Sequence, residues 1–212
     1  QELRKKSLLH KQVKQISINE HSDFTTLIEA FANSSFEARN LGKAAELYHK
    51  HIQTDTAIIW SLSGSIFSAG LRQITIDAIR NNLVDALVCT GALFEQDMLE
   101  ALGHKHYICD TKIDDGELQE LYIDRVYDHL LDEIALRQVD ITFKRIAESI
   151  QPKLYSSREF MRLSGKWLSE AKGVQDSVMQ AAFEKNIPIF IPAINDCSIG
   201  IGLAIQNNKK EK

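Results

Sequence analysis

The stretch between residues 56 and 97 constrains the fold more than any other part of the sequence. In chain order it contains an apolar run at 57–60, a small-residue loop at 61–65, a helical pattern at 68–82, a second apolar run at 84–89 and the small residues Thr90, Gly91 and Ala92. Strand, loop, helix, strand and loop in this order predict a βαβ unit of a parallel sheet. Ligands of such sheets bind beyond the carboxyl ends of the strands, and both small-residue loops would lie there.

The size and charge of the chain limit its class. Its 212 residues, of which 44% are hydrophobic, suit one α/β domain with a sizeable core. We predict an N-terminal arm with helices over residues 1–55 and a Rossmann-like α/β core over 56–212, which we expect to be incomplete at its C-terminus. The net charge of −4 provides no basic footprint, so nucleic acid is not an expected partner.

The sequence indicates neither a membrane span nor a signal peptide. No apolar run reaches the roughly 18 residues of a membrane-spanning helix, and the polar residues 1–6 lack the apolar part of a signal peptide. Cys89, Cys109 and Cys197 are too few for a disulfide framework in a chain of this length. We therefore expect reduced cysteines and a cytoplasmic protein.

Several further helices are predicted from apolar periodicity. Outside the βαβ unit the patterns cover 22–32, 36–52, 95–102, 156–168 and 175–186. Thr26 with Glu29, and Ser156 with Glu159, have the spacing of capping boxes, in which each side chain satisfies a free amide at the helix start. The spacing at Ser156 is the clearest helix start in the sequence.

Three other segments are predicted with less regular patterns. Residues 118–150 are rich in helix formers but too long for one ordinary helix, so we predict two helices with a break near 138–141. The alternating residues 104–109 predict a short strand. The apolar run 187–194 predicts a strand that is buried on both faces.

Three predicted strands end in loops of one character: 63–65, 90–92 and 195–198. Small residues let a ligand approach the backbone, and the amides of a following helix suit a phosphate. If the strands are neighbours, the loops converge on one crevice. Tight turns on their own also require small residues, and both interpretations remain open. No Gly-x-Gly-x-x-Gly follows the first strand, so the ordinary dinucleotide fingerprint is absent.

The acidic and amide side chains near the predicted loops each allow two interpretations. Glu95, Gln96 and Asp97 would lie at a helix start, where they could complement the helix dipole or bind a cationic amine or a ribose hydroxyl. Asp196 directly follows a buried strand and either forms a turn with Asn195 or meets a ligand.

Two common kinds of catalytic centre are not expected. A histidine pair at 104 and 106 lacks a third ligand of matching spacing, so the sequence does not predict a metal site. No Gly-x-Ser-x-Gly nucleophile motif is present. The small-residue loops therefore remain the main candidates for a binding site.

Five segments together resemble the deoxyhypusine synthase family in order and spacing. They are 36–44, 63–72, 84–92 with Glu95 and Asp97, 155–159 and 188–200, which together reach across nearly the whole chain. The similarity is greatest to the archaeal or bacterial branch. It implies a Rossmann-like fold in a homotetramer that binds NAD at a subunit interface.

The same resemblance implies a reaction and a set of site residues. Spermidine is oxidised by NAD and cleaved, and its 4-aminobutyl group passes to an enzyme lysine and then to a lysine of a translation initiation factor. Related enzymes transfer it to a small amine, putrescine. The residues that the resemblance assigns to NAD are Gly64, Ser65, Ser68, Thr90, Gly91, Asp196 and Ser198. Those it assigns to the substrate are Glu95 and Gln96.

The chain departs from the family pattern at three places. Gln96 stands where the family usually has an acid, and Ile201 stands where it often has one, so negative charge is lost beside the polyamine. The family's glycine-rich loop and acceptor lysine have no counterpart here, and the lysines at 209, 210 and 212 do not match.

These departures leave three hypotheses about function. The first is a deoxyhypusine synthase-like transferase. The second is a non-catalytic paralogue that assembles with a complete synthase in a hetero-oligomer. The third is an unrelated α/β enzyme that binds NAD or another nucleotide.

Overall fold

The computed structural model describes residues 4–5, 9, 12–17, 19, 23–109 and 112–210, with the side chains of 205–210 left aside. These residues fall into two compact units, Gln1–Thr56 and Ala57–Lys212. The predicted arm lies partly outside the described residues, and its described stretch 12–17 has no regular secondary structure.

The first unit is a helical hairpin. Helix α1 spans Phe24–Phe31 and α2 spans Phe36–Ile52, as predicted for both within two residues. A Cβ on Gly42 would come 2.2 Å from the backbone nitrogen of Ala32, so this glycine lets α2 pack against the end of α1. The residue that weakens the helical propensity of α2 is therefore required by its packing.

The predicted capping box at the start of α1 is wrong. The carboxylate of Asp23 accepts a hydrogen bond from the amide of Thr26 at 2.9 Å, and the Thr26 hydroxyl donates to the Asp23 carbonyl oxygen at 3.1 Å. Asp23 is as good a cap as threonine and lies one turn earlier in the chain. Thr26 is consequently inside the helix and Glu29 has no cap to complete.

The second unit contains two three-stranded sheets and their helices. Its elements are β1 (Ile59–Leu62), a π turn (Phe67–Leu71), α3 (Arg72–Arg80), β2 (Ala86–Cys89), α4 (Gly91–Ala101), β3 (Tyr107–Ile108), α5 (Asp115–Glu120), β4 (Ile123–Val126), β5 (His129–Asp132), α6 (Glu133–Ser149), α7 (Ser157–Glu170), α8 (Val178–Lys185), β6 (Ile189–Phe190), a 3-10 turn (Ile194–Asp196) and α9 (Ser198–Lys210).

The first sheet is parallel and has the order β1-β2-β6. Ile59 pairs with Ala86 and Leu87 pairs with Ile189. The predicted βαβ unit is present, and the predicted α/β class with a parallel sheet flanked by helices is confirmed. Phe67, Leu87, Phe94 and Met98 are fully buried in the core that this sheet forms with its helices.

Only β3 of the second sheet was predicted, within the alternating residues 104–109. The sheet is antiparallel, with the order β3-β5-β4, so the expectation of two helices over 118–150 is wrong in its first part. Residues 123–132 form a hairpin, in which Asp124 pairs with Leu131. The helix formers of the wider segment 118–150 are a local preference, whereas the pairing of β5 with the distant β3 depends on tertiary structure.

The predicted break near 138–141 is also wrong, because α6 runs without interruption from Glu133 to Ser149. Ala135, Val139, Phe143 and Ile146 are all buried on one face of this helix. That spacing of three or four residues is the signature of a continuous amphipathic helix.

Strand β6 is shorter and more exposed than predicted. Ile189 and Ile191 are buried, but Phe190 keeps 37% of its surface exposed. β6 is an edge strand of the parallel sheet, and the face that carries Phe190 is only partly covered. The guanidinium of Arg158 lies over the Phe190 ring at 5.8 Å.

The remaining sequence expectations concern one cap, the cysteines and the membrane. The capping box between Ser156 and Glu159 is present at the start of α7. All three cysteines are free and buried. In the parts of the chain that the structure describes, no helix has both the length and the apolar character needed to cross a bilayer.

Candidate functional site

An open cleft of about 460 Å³ lies at the carboxyl ends of the parallel strands. It is lined by residues 61–63 around the end of β1, 88–92 around the end of β2, and 191–193 with Asp196 after β6. The three small-residue loops thus meet at one place. The volume is in the range of ordinary small-molecule sites.

The first loop contributes Ser63 to the cleft lining, whereas Gly64, Ser65 and Ser68 do not line it. Gly64 has a φ of +73° with open space around its α-carbon, a conformation that favours glycine. The Ser68 hydroxyl donates to the Ser65 carbonyl oxygen at 2.8 Å. The loop is therefore a defined turn that leads into the π turn.

The second loop places a helix start at the cleft. Thr90 caps α4 through its extended backbone without a side-chain capping bond, and its exposed side chain lines the cleft. A Cβ on Gly91 would come 2.2 Å from the Sγ atom of Cys197. Glycine at 91 therefore lets the second and third loops touch, and the free amides of the first turn of α4 suit an anionic ligand.

Helix α4 begins at Gly91, four residues before the predicted start, so Glu95, Gln96 and Asp97 do not lie at a helix terminus. The helix begins instead with Thr90 as its cap and Gly91 as its first residue. Compensation of the helix dipole falls off within the first turn. It therefore does not explain these three side chains.

Glu95 and Gln96 each contact a different loop. An oxygen of the Glu95 carboxylate accepts from the amide of Ile199 at 3.3 Å. The Gln96 side-chain oxygen accepts from the amide of Ser68 at 3.1 Å. Both side chains therefore have protein partners near the cleft, and neither lines it.

Asp97 belongs to a buried structural network. Its carboxylate is fully buried, pairs with Arg72 at 2.7 Å and accepts from the amides of Val178 and Met179, both at 3.0 Å. Burial raises the pKa of Asp97, whereas Arg72 and the two amides lower it. Because both oxygens are engaged away from water, the hypothesis that Asp97 binds an amine or a ribose does not fit the structure.

Asp196 is the carboxylate that the cleft presents to a ligand. It is exposed, ends the 3-10 turn and lines the cleft. Its side chain makes no hydrogen bond or ion pair with any other residue that the structure describes. It can therefore accept hydrogen bonds from hydroxyl groups or pair with an ammonium group.

The next two residues of the third loop are held by the protein. The Ser198 hydroxyl donates to Asp140 of α6 at 3.0 Å, a partner that the sequence did not indicate. The Cys197 thiol donates to the Ile194 carbonyl oxygen at 3.0 Å. Burial raises the pKa of Cys197, and the charge of Glu95 adds to this effect, so the thiol is not an activated nucleophile.

The two histidines singled out in the sequence do not come together around a site. His104 contacts Gln138 at 3.0 Å. His106 contacts Glu100 at 3.0 Å and packs edge-on against His129. Among the described residues no group of three or more histidine, cysteine or acidic side chains could hold a metal ion.

The chemical groups at the cleft are of the types that bind a dinucleotide. Thr90 supplies a hydroxyl, the start of α4 supplies amide donors for a phosphate, and Asp196 supplies a carboxylate for ribose hydroxyls.

The residues that sequence reasoning missed are Arg72 and Asp140. Arg72 lies 25 positions before its partner Asp97 and Asp140 lies 58 before Ser198, so no local spacing reveals either pair.

Comparison with known proteins gives the same family from most of the sequence. Residues 26–212 match the family model of deoxyhypusine synthase. A deoxyhypusine synthase-like protein of Chlorobaculum parvum is 44% identical over 203 residues, which cover 95% of this chain and 58% of that protein. The corresponding protein of Coxiella burnetii strain RSA 493 is 38% identical, with coverage of 97% and 59%. The chain thus spans less than two thirds of these relatives.

A solved structure agrees at the level of the fold. A protein of Entamoeba histolytica, provisionally assigned as a deoxyhypusine synthase, superposes with a TM-score of 0.64 over 92% of this chain and 67% of its own. At 16% identity this likeness concerns the fold alone. With the family model matching most of its residues, the chain belongs to the deoxyhypusine synthase family.

Proposed function

We propose that the full-length protein is a transferase that uses NAD to move the 4-aminobutyl group of spermidine to an acceptor amine. The observation that carries this proposal is the meeting of three loops in one cleft, with Asp196 exposed within it. Family membership gives the coarser class, and the cleft would supply a place for the cofactor.

Thr90 and Gly91 would hold a phosphate of NAD with the free amides of α4. Asp196 would accept hydrogen bonds from a ribose or attract an ammonium group of the polyamine, since opposite charges interact more strongly where water is partly excluded. Bound NAD would supply the hydride acceptor for oxidation of the amine. Gly64, Ser65, Ser68 and Ser198, which do not line the cleft on this chain, would support the two flanking loops from behind.

The acceptor and the assembly are part of the same proposal. The acceptor is a lysine of a translation initiation factor or a small amine such as putrescine. The protein would act as a homotetramer whose site is completed at a subunit interface. Such an arrangement suits a cleft that is open on this chain, because a neighbouring subunit can cover it.

Isothermal titration of the full-length protein tests this function. We expect saturable binding of NAD, and binding of spermidine in its presence. The Asp196→Ala variant should weaken both, whereas Glu170→Ala, an exposed carboxylate of α7 that does not line the cleft, should change neither. Absence of NAD binding by the wild-type protein would refute the proposal.

A second candidate function is a non-catalytic subunit that assembles with a complete synthase. Gln96 is neutral and Ile201 is 55% exposed without charge, and these two positions are where acids were expected. Co-purification discriminates between the candidates, since a non-catalytic subunit should bring down a partner with an acceptor lysine. An active homo-oligomer formed by this protein alone would contradict the second candidate.

A further inference from the structure

Two adjacent side chains of α4 connect the outer loops of the cleft to its middle loop. The Gln96 side-chain oxygen accepts from the amide of Ser68, after the first loop. The Glu95 carboxylate accepts from the amide of Ile199, after the third loop. Both acceptors are half-buried, so water competes only partly for these bonds.

The two amides are of a kind that requires an acceptor. Ser68 is the second residue of the π turn, and Ile199 is the second residue of α9. Amides in the first turn of a helix have no partner within that helix. Gln96 and Glu95 therefore satisfy two backbone groups that mark where the first and third loops end.

Helix α4 is itself fixed by contacts with neighbouring elements. One residue further along, Asp97 joins α4 to Arg72 of α3 and to two amides at the start of α8. At the start of α4, Gly91 lies against Cys197 of the third loop. A side chain anchored on α4 thus has a fixed position relative to the parallel sheet.

We infer that Glu95 and Gln96 are positioning residues that hold the third and first loops in register with the second around the cleft. This inference rests on the proposed function in taking NAD as the ligand that benefits from the ordered loops. Loops already held in place do not have to be ordered on binding, and this lowers the cost of association.

The inference gives the neutral side chain at 96 a defined role. A glutamine oxygen accepts a hydrogen bond as a glutamate oxygen does. Glutamine at this position therefore keeps the anchor of the first loop while it omits a negative charge. Substitution separates the effect of charge from the effect of positioning. Gln96→Glu adds a negative charge and keeps the hydrogen-bond acceptor, whereas Gln96→Ala removes the acceptor.

Amide hydrogen exchange of the full-length protein without cofactor tests the anchors directly. Gln96→Ala should speed exchange in peptides from 63–71 by about fivefold, the effect of losing one ordinary hydrogen bond, and leave 195–202 unchanged. Glu95→Ala should do the reverse. Gln96→Glu and Glu95→Gln keep the acceptor and should behave as wild type. Gln180→Ala, which removes a helical glutamine whose side chain donates to Glu184, is the matched control.

NAD affinity provides the second measurement. Gln96→Ala and Glu95→Ala should each weaken NAD binding by about fivefold, and the conservative variants should bind NAD as wild type does. A general loss of stability would instead speed hydrogen exchange in both loops. Unchanged exchange in the assigned loop, or unchanged NAD affinity in a protein that binds NAD, would overturn the inference. Failure of the wild type to bind NAD would refute the proposed function, and the exchange pattern would still decide whether the anchors exist.

Discussion

Arg72 and Asp97 form an ion pair in the interior of the protein, with 2.7 Å between Nε and Oδ1. The Asp97 side chain is fully buried and that of Arg72 is 10% exposed. Arg72 also donates to the carbonyl oxygen of Asp176 and lies 3.5 Å from Glu100. The pair joins α3, α4 and the start of α8.

Removing either member of this pair should strongly destabilise the protein. Arg72→Ala and Asp97→Ala should each lower the free energy of unfolding by about 3–5 kcal/mol, because the remaining charge stays buried without its partner. Urea denaturation would measure this. The double variant should lose less than the sum of the two, and Arg72→Lys should lose less than Arg72→Ala. Strict additivity would contradict direct coupling.

Substitution of Gly91 should force the second and third loops apart. The added methyl group of Gly91→Ala would lie 2.2 Å from Sγ and 2.7 Å from Cβ of Cys197, an overpacking worth about 1–3 kcal/mol. Thermal unfolding would measure the loss. Cys197→Gly removes both clashing atoms, so Gly91→Ala should cost less in that background than in wild type. Equal costs in both backgrounds would show that the clash is not with Cys197.

Substitution of Asp196 should affect ligand binding and spare stability. The side chain is exposed and lines the cleft, so Asp196→Ala should change the free energy of unfolding by no more than about 0.5 kcal/mol. NAD or spermidine affinity should fall about tenfold or more, as for a lost hydrogen bond to a charged group. Titration calorimetry beside urea denaturation separates the two effects. A large stability loss with intact binding would argue against a ligand role.

The Glu100 carboxylate should contribute a pH-dependent part of the stability. The hydrogen bond from His106 lowers the pKa of Glu100, the charges of Arg72, His106 and Lys105 lower it further, and burial opposes them. A carboxyl whose folded pKa is lowered stabilises the protein above its unfolded pKa, about 4.3 for glutamate, and loses this effect as pH falls through the folded value.

We therefore expect wild type to be more stable than Glu100→Gln at neutral pH, and this advantage to shrink below about pH 4.3. Urea denaturation at a series of pH values would measure it. Glu170→Gln, on the exposed face of α7, serves as the control. A difference that grows on acidification would reverse the sign of this prediction.

Cys89 should be inert to thiol reagents in the folded protein. Burial raises its pKa to about 12, so almost no thiolate is present near neutral pH. Iodoacetamide at mildly alkaline pH should leave Cys89 unmodified in the native state and modify it in urea, as measured by mass spectrometry of its peptide. Equal rates in both states would show that β2 is open to solvent.

The difference between predicted and observed strands has a consistent cause. β1 and β2 were predicted from runs of apolar residues, and the structure places them within two residues of those runs. β4 and β5 lie in a segment, 118–150, that is rich in helix formers as a whole, and they are strands because each pairs with the other and β5 also pairs with β3. Local composition indicates an element only where tertiary pairing does not override it.

The candidate site divides in a similar way. Sequence alone indicated that Ser63, Thr90, Gly91 and Asp196 follow apolar strands, and these are the residues that meet at the cleft. It placed Glu95, Gln96 and Asp97 at a helix start, whereas they lie in the second turn of α4. The error arose because Thr90 and Gly91 were assigned to a loop, and the position of a helix cap depends on backbone geometry.

The sequence by itself determined the βαβ unit, the α/β class, the capped start of α7 and the family, because these depend on periodicity, short spacings and ordered motifs. Only the tertiary structure decided that Asp97 is buried with Arg72, that Asp196 is exposed, and that Glu95 and Gln96 hold separate loops. Burial and hydrogen bonding of a carboxylate depend on residues that are distant in the chain. Three adjacent polar residues of α4 therefore have different environments that no local pattern distinguishes.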